Sequence, residues 1–351
     1  MARPEHLEPW NIHAGDYPRH ADPIARHRFL LRYAILAPSS HNTQPWRFRC
    51  DDEGIDLLAD QSRRLEVIDA EGRQLFMSLG GALLNLRVAM TRFGDDPEVQ
   101  LFPSPSEPDW IARVTPGGPR VPTNEEIDLF DAIPTRHTNR RPFEQRPVSY
   151  QIADLLSQAA ADEGAWLMRL LPQQRTHAAQ LIAAADREQF HDKQFRRELS
   201  QWLVADGSTR ADGIPGYSKS YGAPLTAANG LLVRTFDIGG RVAEGERDLI
   251  KGTPMLAILG TDSDQPEAWL EAGQAMQRAL LVASLHGLSA SFLNQALELQ
   301  RSRRAFVRMV GRGFPQLVLR FGYGPNARPT PRRPVDELLD PPSRTASRSA
   351  G

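Results

Sequence analysis

Cysteine is almost missing. Cys50 is the only one in 351 residues, which excludes an intrachain disulfide and any cysteine-cluster metal site. Long apolar runs are missing too, so no segment reads as a membrane span. Neither sign of charge dominates: 42 Lys and Arg stand against 43 Asp and Glu, a formal net charge of −1. Such a balance offers nothing to a polyanion or an anionic lipid surface, so neither nucleic acid nor membrane is expected as a partner. No glycine-rich dinucleotide fingerprint appears, which argues against a resident nicotinamide domain. The nine histidines show no metal-ligand spacing. Residues Met1–His20 are polar, without an apolar h-region or a twin arginine, and the expectation is a cytoplasmic protein. Residues 341–351 read as a disordered tail. What remains is ordinary globular composition, 40% hydrophobic and 24% charged, on a chain long enough for two domains.

The most informative stretch is residues 37–48, Ala-Pro-Ser-Ser-His-Asn-Thr-Gln-Pro-Trp-Arg-Phe. A helical run, Arg26 to Ala37, precedes it, with an apolar stripe at Phe29, Leu30, Tyr33, Ile35 and Leu36. An alternating strand, Trp46, Phe48 and Cys50, follows. Pro38 stops the helix and Pro45 starts the strand. Between them Ser39, Ser40, Asn42, Thr43 and Gln44 are held in a fixed direction. Amide side chains carry both donors and an acceptor, so this set suits a planar, polar-edged heterocycle such as an imide or pyrimidine. By spacing alone the stretch is equally an ordinary joint with an Asx turn.

Ile55–Ala59 pairs with that strand in a hairpin across residues 51–54. Gln74–Phe93 is a long helix that carries Gly80 and Gly81 in its interior. Two such glycines cost about 1 kcal/mol each against alanine, which points to close packing. Strands follow near Val99–Phe102 and Trp110–Val114. A further helix starts near Asn124, a candidate N-cap, and breaks at Pro134.

After that the chain starts again. Ser149–Ala161 is a helix and Trp166–Leu171 a strand; Gln173–Phe190 and Lys193–Val204 are helices. Met255–Leu259 is a strand, Glu267–Leu285 a long helix and Leu317–Phe321 a last strand. The halves align: Gly80 with Gly273, Ala82 with Ala275 and Gly94 with Gly287, all 193 apart. Trp46 aligns with Trp166. The expectation is two homologous halves, 1–122 and 123–340, in which the first keeps the Ser/Asn/Gln loop. Divergence of a fused dimer then leaves one complete site between the halves.

The second half keeps arginines. Arg136, Arg140 and Arg141 lie beside His137 and Thr138. On a solvated turn such a cluster means little; the functional reading is an anion site, because guanidinium forks bind phosphate bidentately. Near the end stands Thr330-Pro-Arg-Arg-Pro334, in which Arg332 and Arg333 are further candidates.

Pro38-Ser39-Ser40-x-Asn42-x-Gln44-Pro45-Trp46-x-Phe48 resembles the signature of the nitroreductase superfamily of FMN enzymes. Arg136-x-Thr138-x-Arg140 resembles its FMN-phosphate motif, moved to mid-chain with threonine in place of serine. The chain order and the closing Pro-Arg-Arg-Pro are similar to the Acg-type branch, over roughly residues 26–340. The resemblance implies an α+β fold of two nitroreductase-like halves, each a mixed or antiparallel sheet flanked by helices, fused as a monomeric pseudo-dimer. It implies one FMN site under a lid, for which residues 206–251 are the candidates. It also implies that Pro38, Ser39, Ser40, Asn42 and Gln44 reach the flavin, and that Arg136, His137 and Thr138 hold its phosphate or ribityl chain. Arg140 would face N1, where a cation favours reduction. Asn294 and Gln295 would pass N5, and Arg332 and Arg333 would join the phosphate.

The function this implies is an FMN-dependent oxidoreductase between a small-molecule donor, such as NAD(P)H, and an acceptor such as a nitro-aromatic or quinone. The cofactor does that chemistry, so no catalytic side chain is assigned; His41 reads as a turn residue. The alternative is a protein that binds and sequesters FMN under a lid closed to NAD(P)H. A third reading is an unusual task on the same fold, such as flavin fragmentation or peptide-azoline oxidation.

Overall fold

The computed structural model describes residues 5–205, 207–218, 230–235, 237 and 239–341. Asp22 accepts from the backbone N–H of Ala25 at 2.8 Å, and Pro23 supplies the first turn. Helix α1 (Pro23–Ala34) therefore starts and ends about one turn earlier than the apolar stripe suggests. Strands β1 (Trp46–Cys50) and β2 (Ile55–Ala59) form the expected hairpin, with Trp46 opposite Ala59. Before α2 (Arg73–Arg92) the carboxylate of Asp69 accepts from the backbone N–H groups of Gln74 and Leu75 at 2.9 and 2.8 Å. Strands β3 (Asp95–Leu101) and β4 (Trp110–Pro119) run longer than their apolar cores. Helix α3 (Asn124–Ala132) is capped by Thr123 rather than Asn124. Thr123 and Glu126 exchange side-chain and backbone hydrogen bonds in a capping box.

The second half repeats the order. Helix α4 (Tyr150–Ala161) and β5 (Trp166–Arg169) stand where α1 and β1 stood. An insertion follows. It comprises α5 (Pro172–His191), α6 (Lys193–Trp202), the short parallel pair β6 (Leu203–Val204) and β7 (Ile214–Pro215), α7 (Gly230–Thr235) and α8 (Gly239–Lys251). Then come β8 (Met255–Thr261), α9 (Pro266–Leu285), β9 (Ser289–Phe292), α10 (Gln295–Glu298), α11 (Gln300–Val310) and β10 (Phe314–Gly322). The expected helix to Val204 ends two residues early, because Leu203 and Val204 pair with Ile214 and Pro215. Of the expected lid, Asp206, 219–229, 236 and 238 lie outside the described residues, as does the tail from 342. Its final part, α8, packs along α5. Among the described residues, no helix is long and apolar enough to cross a membrane.

Both main sheets are antiparallel and four-stranded, in the orders β1-β2-β4-β3 and β5-β8-β10-β9. These are the same topology, with a helix before the first strand and a long helix between the second and third. The expected α+β architecture of two fused halves is what the chain adopts. The halves meet where α2 crosses α9. A Cβ on Gly80 would lie 2.1 Å from the Leu270 carbonyl oxygen, and one on Gly273 would lie 2.1 Å from that of Met77. Met77 and Leu270 are themselves equivalent at the same spacing, so the contact is reciprocal, as at a two-fold interface. Beyond the crossing, Gln277 Nε2 donates to Asn85 Oδ1 at 2.7 Å. One chain segment also crosses to the other half, and another closes the sheet of its own. Residues 338–340 run beside β1, with Phe48 N donating to Leu338 O at 2.8 Å and Asp340 N to Phe48 O at 2.7 Å. Residues 138–139 run beside β9, with Asn139 N donating to Ala290 O at 2.9 Å.

The two mid-helix glycines should separate cleanly in a stability measurement. Gly80→Ala forces backbone apart and should cost about 1–3 kcal/mol or more. A Cβ on Gly81 meets nothing nearer than 3.5 Å, so Gly81→Ala should be neutral or gain about 0.5–1 kcal/mol from helix propensity. Denaturant unfolding of both variants checks this; equal effects would remove the close crossing as the reason for Gly80.

Candidate active site

The chain leaving α1 turns sharply. His41, Asn42 and Gln44 have φ of 51°, 56° and 52°, a region that non-glycine residues occupy only when held there. The clamps are visible. Ser39 Oγ accepts from the Gln44 backbone N–H at 2.9 Å. Asn42 Nδ2 donates to Pro331 O at 3.0 Å, and its Oδ1 accepts from Arg332 Nη1 at 2.9 Å. Gln44 Nε2 donates to Ala211 O at 2.8 Å, and its Oε1 accepts from the Arg333 backbone N–H at 2.8 Å. Loop, C-terminal segment and insertion are thereby tied together.

Behind the loop lie two buried cations. Arg136 is 5% exposed and Arg332 2%. Both reach the Leu36 carbonyl, from Arg136 Nη2 at 3.3 Å and Arg332 Nη2 at 3.2 Å. Arg332 also donates to Ala37 O and to Thr330 Oγ1. The Trp10 ring covers its guanidinium, 4.8 Å from Cζ to the ring centroid, a cation–π contact. Trp10 is fixed in turn by donating to Thr330 O at 2.7 Å and by the edge-on His137 ring at 4.5 Å. Among the described residues neither arginine meets a carboxylate, and each leaves a buried Nε without a hydrogen-bond partner. Burial alone pushes Arg136 down to about 10. Burial, then the neighbouring Arg136 charge, pushes Arg332 well below the ordinary guanidinium range. An anion is what such a pair lacks.

One cleft joins these parts. It is lined by Pro38, Ser39, Ser40, Asn42, Arg136, His137, Thr138, Arg140, Asn294, Gln295 and Arg332. Its far wall is apolar, from Phe190 on α5 and Phe195 and Leu199 on α6, and it also carries two acids, Asp186 and Glu298. Glu298 accepts from Gln74 Nε2 at 2.8 Å and Gln189 Nε2 at 2.6 Å, and burial pushes its carboxyl above the usual range. Asn294 stands directly before the short α10 without capping it, and its Oδ1 accepts from the Val318 backbone N–H at 3.0 Å. The cleft thus offers buried positive charge, a polar-edged loop and an apolar wall, which together suit a flat molecule with an anionic tail.

The chain matches no protein-family model. It is 33% identical over 324 residues to the Mycobacterium tuberculosis protein named "Putative NAD(P)H nitroreductase Rv3131", a match that covers 90% of this chain and 91% of that one. The chain belongs to the nitroreductase superfamily. Its branch is the Acg type: it is 27% identical over 319 residues to the M. tuberculosis protein named "Putative NAD(P)H nitroreductase acg", covering 88% of this chain and 93% of that one. A solved structure, the FMN-dependent nitroreductase NfnB from Mycobacterium smegmatis in complex with NADPH, is 18% identical over 62% of this chain and 99% of that one. Its TM-score is 0.42, a likeness that supports no statement about the site.

In this nitroreductase two of the candidate residues stand apart from the cleft lining. Gln44 is fully buried and braces the loop from behind. The Arg333 side chain turns away toward Asp60 and Glu337, each 3.9 Å off. Sequence reasoning missed Trp10, Gln74, Asp186, Gln189 and Glu298. Asp186 and Gln189 left a signal, since they fall on the buried stripe of α5 with Ala178, Ile182 and Ala185, where a polar side chain needs a reason. Asn42→Ala should destabilise the folded protein by about 1–3 kcal/mol, because it removes two buried hydrogen bonds, to Pro331 O and from Arg332 Nη1, and puts alanine at a positive φ. Unfolding curves that coincide with those of the unmutated protein would show that the loop is held otherwise.

Proposed function

We propose that the cleft holds FMN and that the protein is an FMN-dependent oxidoreductase. The observation that carries this is the pair of buried guanidiniums, Arg136 and Arg332, facing a cleft without a carboxylate of their own. The donor set fits the cofactor: the Arg136 guanidinium, the Nε–H and charge of Arg332, whose Nη groups are held by the chain, and the Thr138 hydroxyl for a phosphate or ribityl chain, and the polar loop 38–42 for the ring. Bound there, FMN would supply hydride transfer through N5 from NAD(P)H to a nitro-aromatic, quinone or similar acceptor. The chain's own residues bind and orient. Arg140 brings positive charge to the ring, and Asn294 and Gln295 approach it from α10. The α5–α6 wall excludes water, which strengthens each of these interactions. Gln44 acts indirectly, by holding the loop. One flavin per chain, at the junction of the halves of a monomer, follows from this reading.

A second reading has one observation in its favour. Gly213 N donates to Asn42 O at 3.2 Å, and Tyr217 Oη donates to Pro329 O at 2.7 Å. These bonds tie the insertion across the loop and the C-terminal segment. A cover held that way would keep a dinucleotide out, and the protein would sequester FMN instead.

An absorption spectrum with added FMN, then anaerobic NADPH, separates the two. Flavin bands that bleach support the oxidoreductase; bands that persist support sequestration; no bound flavin overturns both. Arg136→Met provides a sharper check. It removes charge-assisted hydrogen bonds of about 1.5–3 kcal/mol each, so FMN affinity should fall roughly tenfold or more. The apoprotein should be at least as stable as before, because a buried charge without a counter-ion is itself costly. Unchanged FMN affinity would disprove the phosphate assignment.

A further inference from the structure

Glu298 touches neither the arginine pair nor the loop, yet it is joined to the loop by an unbroken hydrogen-bond chain. Both its carboxylate oxygens accept, one from Gln74 Nε2 and one from Gln189 Nε2. A carboxylate can only accept. It therefore fixes which way the Gln74 amide faces: nitrogen to Glu298, oxygen away. The oxygen meets Ser40, whose hydroxyl donates to Gln74 Oε1. The proton of Ser40 is thus committed, and only lone pairs remain for anything in the cleft that Ser40 lines. Ser39 is in the opposite state. Its Oγ accepts from the Gln44 backbone N–H, and its proton is available to donate.

We propose that Glu298 is a positioning residue that, through Gln74, fixes Ser40 as a hydrogen-bond acceptor toward the cleft and so selects a ligand presenting a donor there. The relay runs from the second half (Glu298 on α10, Gln189 on α5) through α2 to the loop of the first half. This rests on the reading of the cleft as an FMN site, where the donor would be a ring N–H or a ribityl hydroxyl.

Glu298→Gln keeps the shape and removes the constraint. A glutamine at 298 has one donor end, so either Gln74 or Gln189 must turn to meet it. When Gln74 turns, its nitrogen faces Ser40, Ser40 accepts, and its proton swings into the cleft. Ser40 then no longer presents one polarity.

The test is a double-mutant cycle read as the FMN dissociation constant from flavin fluorescence quenching, with Q74M, E298Q and S40A, and each of the first two combined with S40A. Gln74→Met removes the acceptor of the Ser40 hydroxyl outright and should weaken FMN by about tenfold, the scale of coupling expected within one hydrogen-bond network; E298Q, in which Gln189 can turn in place of Gln74, should weaken it by less. In the S40A background both changes should have little further effect. Equal losses from Q74M with and without the Ser40 hydroxyl, or no loss from Q74M, would overturn the relay while leaving the cofactor reading intact. No FMN binding by the unmutated protein would overturn the cofactor reading and the relay with it.

Discussion

The backbone contact between α2 and α9 is the constraint on which the rest is built. Only glycine at both Gly80 and Gly273 lets the Leu270 and Met77 carbonyls come so near. The crossing fixes how the two sheets stand to one another. It also fixes the cleft, because α2 contributes Gln74, Met77 and Ser78 to its lining and α9 contributes Met276. A change in the crossing distance moves one wall against the other. Glycines that weaken a helix in isolation are therefore what make the site reproducible.

Against that rigid frame the protein holds two unfavourable features. The arginine pair is buried without a counter-ion, and like charges lie close enough that Arg136 depresses Arg332. The loop beside it keeps three non-glycine residues at positive φ. Neither would persist alone. They are offset by backbone carbonyls at Leu36 and Ala37, by the Trp10 ring, and by the ties of Asn42 and Gln44. Carbonyls and a ring supply partial charge, not a full negative one. A site satisfied except for an anion binds one without rearrangement, which is how preorganisation raises affinity.

Much of this was legible in the sequence, for physical reasons that also mark where legibility stops. Trp46 and Trp166 announced their strands because apolar alternation is a local property. Gly80 announced close packing because nothing smaller exists to substitute, but neither its partner Gly273 nor the idle part of Gly81 could be read from the helix alone. Strand β9 was not legible: Ser289–Phe292 has small residues and little alternation, and it is a strand because β10 lies beside it. The burial of Arg332 was not legible either. A basic segment between prolines reads as exposed, and it is covered by Trp10, distant in sequence. Glu298 went unnoticed because its partners, Gln74 and Gln189, come from two other helices.

The asymmetry of the duplication carries the argument furthest. Between β1 and β2 the first half has a tight turn at 51–54; between β5 and β8 the second half inserts α5 to α8. Conversely, the connection from α1 to β1 is long enough for the polar loop, while that from α4 to β5 is only residues 162–165. In that short connection Glu163 is engaged by Arg87 at 2.5 Å and Arg278 at 3.4 Å. So the place equivalent to the loop is closed by ion pairs, and the wall equivalent to the insertion is absent. In a symmetric dimer each copy must keep both loop and wall, since each serves in both sites. Fusion lifts that requirement, and the two halves have divided the parts between them.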